Sequence, residues 1–165
     1  MKYTSVDELD RFQFHDAQIQ KIVSSSMDMI WETSLVNVTT DNTQNQFNND
    51  MCTNFAVIVF ENYHIESIIF GASEAWRDGV LVASREARTL LPEEYDSILN
   101  ETPCSYCYIL DMELLSDGQD SMHRSVFDIT GGAGTYYLTF SFTKAIISWD
   151  EYSGIAGYED PKWKK

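Results

Sequence analysis

At 165 residues, with 44% apolar and 13% aromatic side chains, the chain can bury a core of its own, hiding about 70% of the surface an unfolded chain of that size exposes, and needs no staple. Its 26 acids against 11 lysines and arginines give a net charge of −15, which opposes binding to phosphate backbones and anionic lipids and draws in a basic partner. The longest apolar run, residues 55–60, falls far short of the roughly 20 residues of a bilayer crossing, so neither nucleic acid nor membrane is an expected partner.

The acidity is not a tail effect. Residues 1–50 carry 8 acids and 3 bases, 51–100 carry 8 and 3, 101–150 carry 7 and 2, and only 151–165 balances at 3 and 3. Solubility alone is the plainer explanation of such a charge. The start, MKYTSVDELDRF, has no apolar h-region, so neither a secretory signal nor a transit peptide is expected and the cytoplasm is the expected compartment. Three cysteines, an odd number, argue against a disulfide framework and suit a reducing compartment.

In chain order, residues 6–11 can form a short helix, and FHDAQI (residues 14–19) opens a strand over 17–23. Met27, Met29 and Trp31 alternate with Asp28 and Glu32 in a second strand, and Ser24-Ser25-Ser26 makes the tight connection of a first hairpin. Residues 35–40 extend or follow that strand. DNTQNQFNND (41–50) is polar and aperiodic and is expected not to join a core; a mobile loop is expected over 41–53. Residues 55–60 read as a strand covered on both faces, and Glu61-Asn62 turns it toward 64–70 in a second hairpin. Within the poorly patterned 71–91, residues 79–82 suggest a short edge strand. Leu91-Pro92-Glu93-Glu94 starts a helix that ends near Asn100, because Pro suits the first helical position and acids suit the positive end of the dipole.

Residues 104–115 alternate as a long strand, with Cys104 on one face and Cys107 on the other. The turn Ser116-Asp117-Gly118 leads to a strand over 122–129, and GGAG (131–134) turns it into TYYLTFSFT, whose Tyr136, Leu138, Phe140 and Phe142 share a face. One strand over 135–149 would run to about 50 Å, so a bend is expected at Thr143-Lys144, with Ala145, Ile147 and Trp149 together on one face beyond it. A loose tail is expected over 159–165. Hairpins in series without strand–helix–strand alternation predict one domain over 1–165: mainly β, antiparallel, about eight strands as a sandwich or curved sheet, with one or two short helices. An α+β arrangement is the alternative.

No catalytic set, metal site or cofactor motif is found. Adjacent His15 and Asp16 would point to opposite faces of a strand, and a turn closed by Asp16, anchored by Phe14 and with a local backbone bond to His15 accounts for the pair. The CxxC at 104–107 lacks both the helix of a redox motif and a second ligand pair for zinc. His64 and His123 stand in no metal-binding spacing. Asp111 and Glu113 share a strand face, as general acid–base pairs do, but so do the acids of any solvated face. No GxSxG and no phosphate-gripping glycine loop occurs.

The stretch SWDEYSGIAGYEDPKW differs in gathering Trp149, Tyr152, Tyr158 and Trp163 with Asp150, Glu151, Glu159 and Asp160. Aromatic anchors ringed by acids suit an interface with a basic partner, so Trp149, Asp150, Glu151, Tyr152, Tyr158, Glu159 and Asp160 are the candidate partner-binding residues. The alternative is that Trp149 closes the core and the tyrosines cover a sheet edge.

FHDAQI, the apolar face with Trp31, and WDEYSGIAGYED together resemble small bacterial proteins, some similar to immunity proteins of polymorphic toxin systems. The resemblance implies a cytoplasmic one-domain protein that binds and neutralises a toxin, and implies no catalytic residues. The expected function is therefore non-enzymatic binding of a protein, a basic toxin being the partner the charge favours. Two rivals stand beside it: a small-molecule binder or enzyme with a pocket between the sheet and the 92–100 helix, and a homo-oligomeric subunit joined through the aromatic C-terminal stretch.

Overall fold

The computed structural model describes residues 1–117 and 122–162. Its sixteen strands are β1 (Tyr3–Val6), β2 (Phe12–Gln13), β3 (Gln18–Ser24), β4 (Asp28–Ser34), β5 (Asn37–Val38), β6 (Met51–Thr53), β7 (Ala56–Glu61), β8 (His64–Phe70), β9 (Ser73–Arg77), β10 (Val80–Arg85), β11 (Arg88–Thr89), β12 (Tyr108–Asp117), β13 (His123–Gly131), β14 (Gly134–Phe142), β15 (Lys144–Trp149) and β16 (Tyr152–Ile155). One short α-helix, α1 (Tyr95–Glu101), follows a 3-10 turn at Pro92–Glu94; a second 3-10 turn, Leu9–Arg11, stands where the sequence suggested a helix over 6–11. The chain is mainly β and every strand pair is antiparallel, as the hairpin pattern predicts; strands of two to four residues raise the count above eight.

Ten strands form one coiled sheet in the order β1-β15-β7-β4-β3-β12-β13-β14-β8-β11. Its halves meet through a single residue pair, Tyr108 opposite Gln18, and fold over a common core. Trp31 on β4 and Phe60 on β7 meet Phe127 on β13 and Phe140 on β14 across that core, with centroids 4.8–6.1 Å apart. Each such aromatic contact adds about 0.5–1.5 kcal/mol to the burial itself.

The period-two face Tyr136, Leu138, Phe140, Phe142 is wholly buried, and so are Ala145, Ile147 and Trp149 beyond the bend at Thr143. The bend is half of a double corner. β7 and β8 also break direction, at Asn62-Tyr63, and the two corners are tied by Thr143 N donating to Glu61 O (2.9 Å) and Asn62 Nδ2 donating to Thr143 Oγ1 (2.9 Å). The expected second hairpin is therefore corrected: β7 pairs with β4 and β15, while β8 pairs with β14 and β11. Alternation shows which way side chains face, not which strand lies alongside.

The first hairpin forms as predicted. Ser25 Oγ accepts from the backbone N–H of Met27 and Asp28 (3.2 and 2.8 Å) and closes the turn between β3 and β4. The expected edge strand at 79–82 is instead part of a separate two-stranded ribbon, β9–β10, turning through Asp78 and Gly79, both at positive φ, and exposed along its whole length.

The long strand expected from residue 104 begins at Tyr108. Residues 104–107 are a turn, closed by Cys107 N donating to Cys104 O (3.2 Å), so the cysteines do not sit on opposite strand faces. α1 ends against the GGAG turn, where a Cβ on Gly131 or Gly132 would run into the carbonyl oxygens of Thr102 and Glu101. Ser116 and Asp117, expected in a turn, lie in β12, and Gly118 lies outside the described residues. Among the described residues no helix is long and apolar enough to cross a membrane.

Candidate functional site

The remaining four strands, β16-β6-β5-β2, make a small sheet built from single residues that break an apolar pattern. Phe12, Val38 and Met51 turn inward and are buried. Their neighbours Gln13, Asn37 and Cys52 therefore turn outward, and the register aligns Gln13, Asn37, Cys52 and Gly154 in one row across the four strands. Leu35, at positive φ, breaks the chain between β4 and β5 and lets Val36 and Val38 reach the core.

The row forms the floor of a cavity of about 630 Å³, lined in addition by His15, Asp16, Leu35, Ser153, Ile155, Gly157 and Tyr158. One lip is the turn in FHDAQI. Ala17 N donates to Phe14 O (2.8 Å), Asp16 takes positive φ, and Phe14 is buried beneath. The backbone bond of His15 is not local: its Nδ1 lies 2.5 Å from the carbonyl oxygen of Leu110, 95 residues away. A carbonyl only accepts, so Nδ1 carries a proton, and Nε2 lies 3.7 Å from Asp16 Oδ2.

The other lip is the C-terminal segment. Ala156 N donates to Asp50 O (2.8 Å), and Glu159 Oε2 accepts from Asp50 N (2.8 Å) and Asn49 Nδ2 (3.1 Å). The Tyr158 hydroxyl donates to Asp50 Oδ2 (2.7 Å), and Ser153 Oγ donates to Cys52 O (3.1 Å). Burial together with the Asp50 carboxylate holds the Tyr158 phenol well above the usual tyrosine range. Among the described residues no lysine or arginine lines the cavity.

The seven predicted partner-binding residues divide. Trp149 is fully buried, stacked on Tyr3 at 5.5 Å and edge-on to Phe12 at 5.9 Å, so it closes the core and cannot be a surface anchor. Tyr152 is half-buried against Trp149, Tyr3 and Phe47. Asp150 accepts from Lys2 N (2.7 Å) and Glu151 is exposed beside it. Tyr158 and Glu159 reach the cavity or its wall, while Asp160 accepts from Lys162 N (3.0 Å) in a following turn. Glu159 and Asp160 are thus bonded where a loose tail was expected to begin; Trp163 and residues 164–165 lie outside the described residues.

The polar 41–53 segment, expected as a mobile loop, supplies part of this wall. Its last three residues are β6, and its asparagines replace the missing periodicity with bonds: Asn45 Nδ2 lies 3.0–3.1 Å from the carbonyl oxygens of Val38, Thr39 and Asn49. Asn42 is buried and donates to Ser5 Oγ (3.1 Å), so the segment does reach the core edge. Glu8 ties the segment down, accepting from Ser5, Thr43 and Arg11.

The other candidates do not assemble. Cys107 is buried, and burial followed by the nearby Cys104 pushes its thiol up to about 11, so it is an inert core group. Asp111 faces Asp128 across β12 and β13, with Glu113 nearby, at a shallow hollow of about 200 Å³. Between the sheet and the 92–101 region there is a hollow of about 300 Å³ lined by Phe70, Arg88, Leu90 and Ile98. Among the described residues no cluster of three or more histidines, cysteines or acids could hold a metal ion. No family model matches the chain, and neither a curated protein nor a solved structure does.

Proposed function

We propose that the protein is a non-enzymatic binding domain that captures a basic protein partner on the acidic side formed by the cavity rim and the C-terminal segment, the part an immunity protein plays against a basic toxin. One observation carries the reading: among the described residues the concave site is lined without a single lysine or arginine, while Asp16 stands on its lip and Asp50 and Glu159 stand behind Tyr158. Among the described residues no acid is fully buried, Glu8 and Asp128 being partly so. Six of the cations already sit within ion-pair distance of an acid, so the surplus negative charge faces solvent. Such a field steers a cationic macromolecule into encounter and fixes its orientation.

The test is association with the products of neighbouring reading frames, measured from about 0.05 to about 0.5 M salt, where the screening length falls several-fold. The reading expects a basic product whose binding weakens at least tenfold over that range and whose toxicity in cells is relieved by co-expression. Binding only to acidic or neutral products would reject it.

A further inference from the structure

The cavity on the small sheet has a polarity set by where its protons already point. His15 gives its Nδ1 proton to Leu110 O, Tyr158 gives its hydroxyl proton to Asp50, and Ser153 gives its hydroxyl proton to Cys52 O. The Tyr158 and Ser153 oxygens, their protons already given away, therefore present lone pairs to a ligand, and the carboxylate of Asp16 adds further acceptors. A ligand held here must bring donors.

Asn37 points to the same need from the floor. Its side chain is flanked in sequence by the buried Val36 and Val38, the residue is 8% exposed, and its Oδ1 has no hydrogen-bond partner. A donor that reached this oxygen from the cavity would supply the partner it lacks. Gln13, next to it in the row, can turn either end of its amide. The rest of the lining is apolar or bare: Leu35, Cys52, Ile155, and Gly154 and Gly157, above which a Cβ would meet nothing within 4 Å. A volume of about 630 Å³ is that of a small-molecule site.

We infer that this cavity is a recognition site for a guanidinium or primary ammonium group carried on an apolar stem. An anion would face Asp16 with no compensating cation, and a quaternary ammonium would leave the acceptors unmet. The stem can belong to a free amine or to an arginine or lysine side chain. The second source rests on the protein-partner reading above; the site itself does not.

The experiment uses the full chain, uniformly labelled with ¹⁵N and titrated with n-butylguanidinium, n-butylammonium, neutral butyramide and butyrate. The inference expects saturable shifts in the amides of Asn37, Cys52, Gly154 and Gly157 with the two cations, and at least tenfold weaker binding of butyramide and butyrate. Gly157→Leu, which fills the space with a side chain, should abolish the saturable shifts. Asp16→Asn, which tolerates the same positive φ and removes only the charge, should weaken the cations several-fold and leave butyramide unmoved. Shifts scattered over the acidic surface, equal binding of butyrate, or unchanged binding in both variants would overturn it. A capped Gly-Arg-Gly peptide separates the sources: competition with butylguanidinium supports a protein-borne cation, whereas exclusion of the peptide while butylguanidinium still binds upholds the site and rejects that source.

Discussion

The Tyr158 hydroxyl donates to Asp50 Oδ2 at 2.7 Å, joining the C-terminal segment to a residue 108 positions earlier. Burial and this bond keep the phenol protonated, and burial does the same for Tyr136, which is bonded to Thr102. A phenol whose folded pKa lies above its unfolded value near 10 leaves stability flat below that pH and lowers it as pH rises further, because only the unfolded chain releases the proton. Denaturant melts should therefore lose stability above about pH 10. Tyr136→Phe should flatten that loss, at a cost of about 1 kcal/mol at pH 7 for the missing hydrogen bond. An alkaline limb unchanged in Tyr136→Phe would contradict the assignment.

Glu8 contributes to the acid limb. Burial alone would raise its carboxyl, but hydrogen bonds from Ser5 and Thr43 and the charge of Arg11 outweigh burial and hold it below the ordinary glutamate value. A depressed folded pKa gives stability that is present above the unfolded value near 4.5 and fades as pH falls through the folded one. Glu8→Gln should lose about 1 kcal/mol at pH 7, and the deficit should shrink toward pH 3 in urea melts. Hydrogen exchange should quicken in residues 41–50, which Glu8 ties to Ser5 and Arg11.

Asp128 carries the opposite sign. Burial and then the facing Asp111 raise its carboxyl, so ionising it costs the folded state, and the cost is complete above the raised value. Asp128→Asn is expected to stabilise the protein by about 0.5 kcal/mol at neutral pH, the solvent-screened scale of a like-charge cross-strand pair, with the gain vanishing as pH falls toward 4. Destabilisation at pH 7 would show that Asp128 has a favourable partner.

Cys107, raised to about 11 and buried against Gly131, should resist a thiol reagent at pH 8 in the folded protein, while the half-exposed Cys52 and Cys104 react. Rapid labelling of all three thiols before unfolding would refute its burial.

Much of the fold is visible in the sequence because period two survives wherever a strand is long. The Tyr136-to-Phe142 face, the bend at Thr143 and the Ser25 hairpin all follow from local pattern. What does not follow is pairing: the same alternation in residues 56–70 suits a hairpin or two strands that part at a corner, and only the bonds around Thr143 and Asn62 decide. β1, β2, β5 and β16 are too short to show a period at all. The cavity is hidden for that reason. Gln13, Asn37 and Cys52 each look like an isolated polar or small residue beside buried neighbours, and they become a site only when register brings them into one row. Tyr158 stands at the cavity and Glu159 in its wall, while Trp149 closes the core, the alternative the sequence left open because an aromatic beside acids looks alike in a core end and in an interface.

The central claim, that this acidic concave face binds cations and not merely repels anions, is tested most directly by calorimetric titration of the basic partner against the native chain and Asp16→Asn/Glu151→Gln, both substitutions exposed and outside the core. The account predicts at least a tenfold loss of affinity in the double variant at low salt, converging on the native value at about 0.5 M salt as screening removes the charge contribution. Equal affinities at low salt would contradict it.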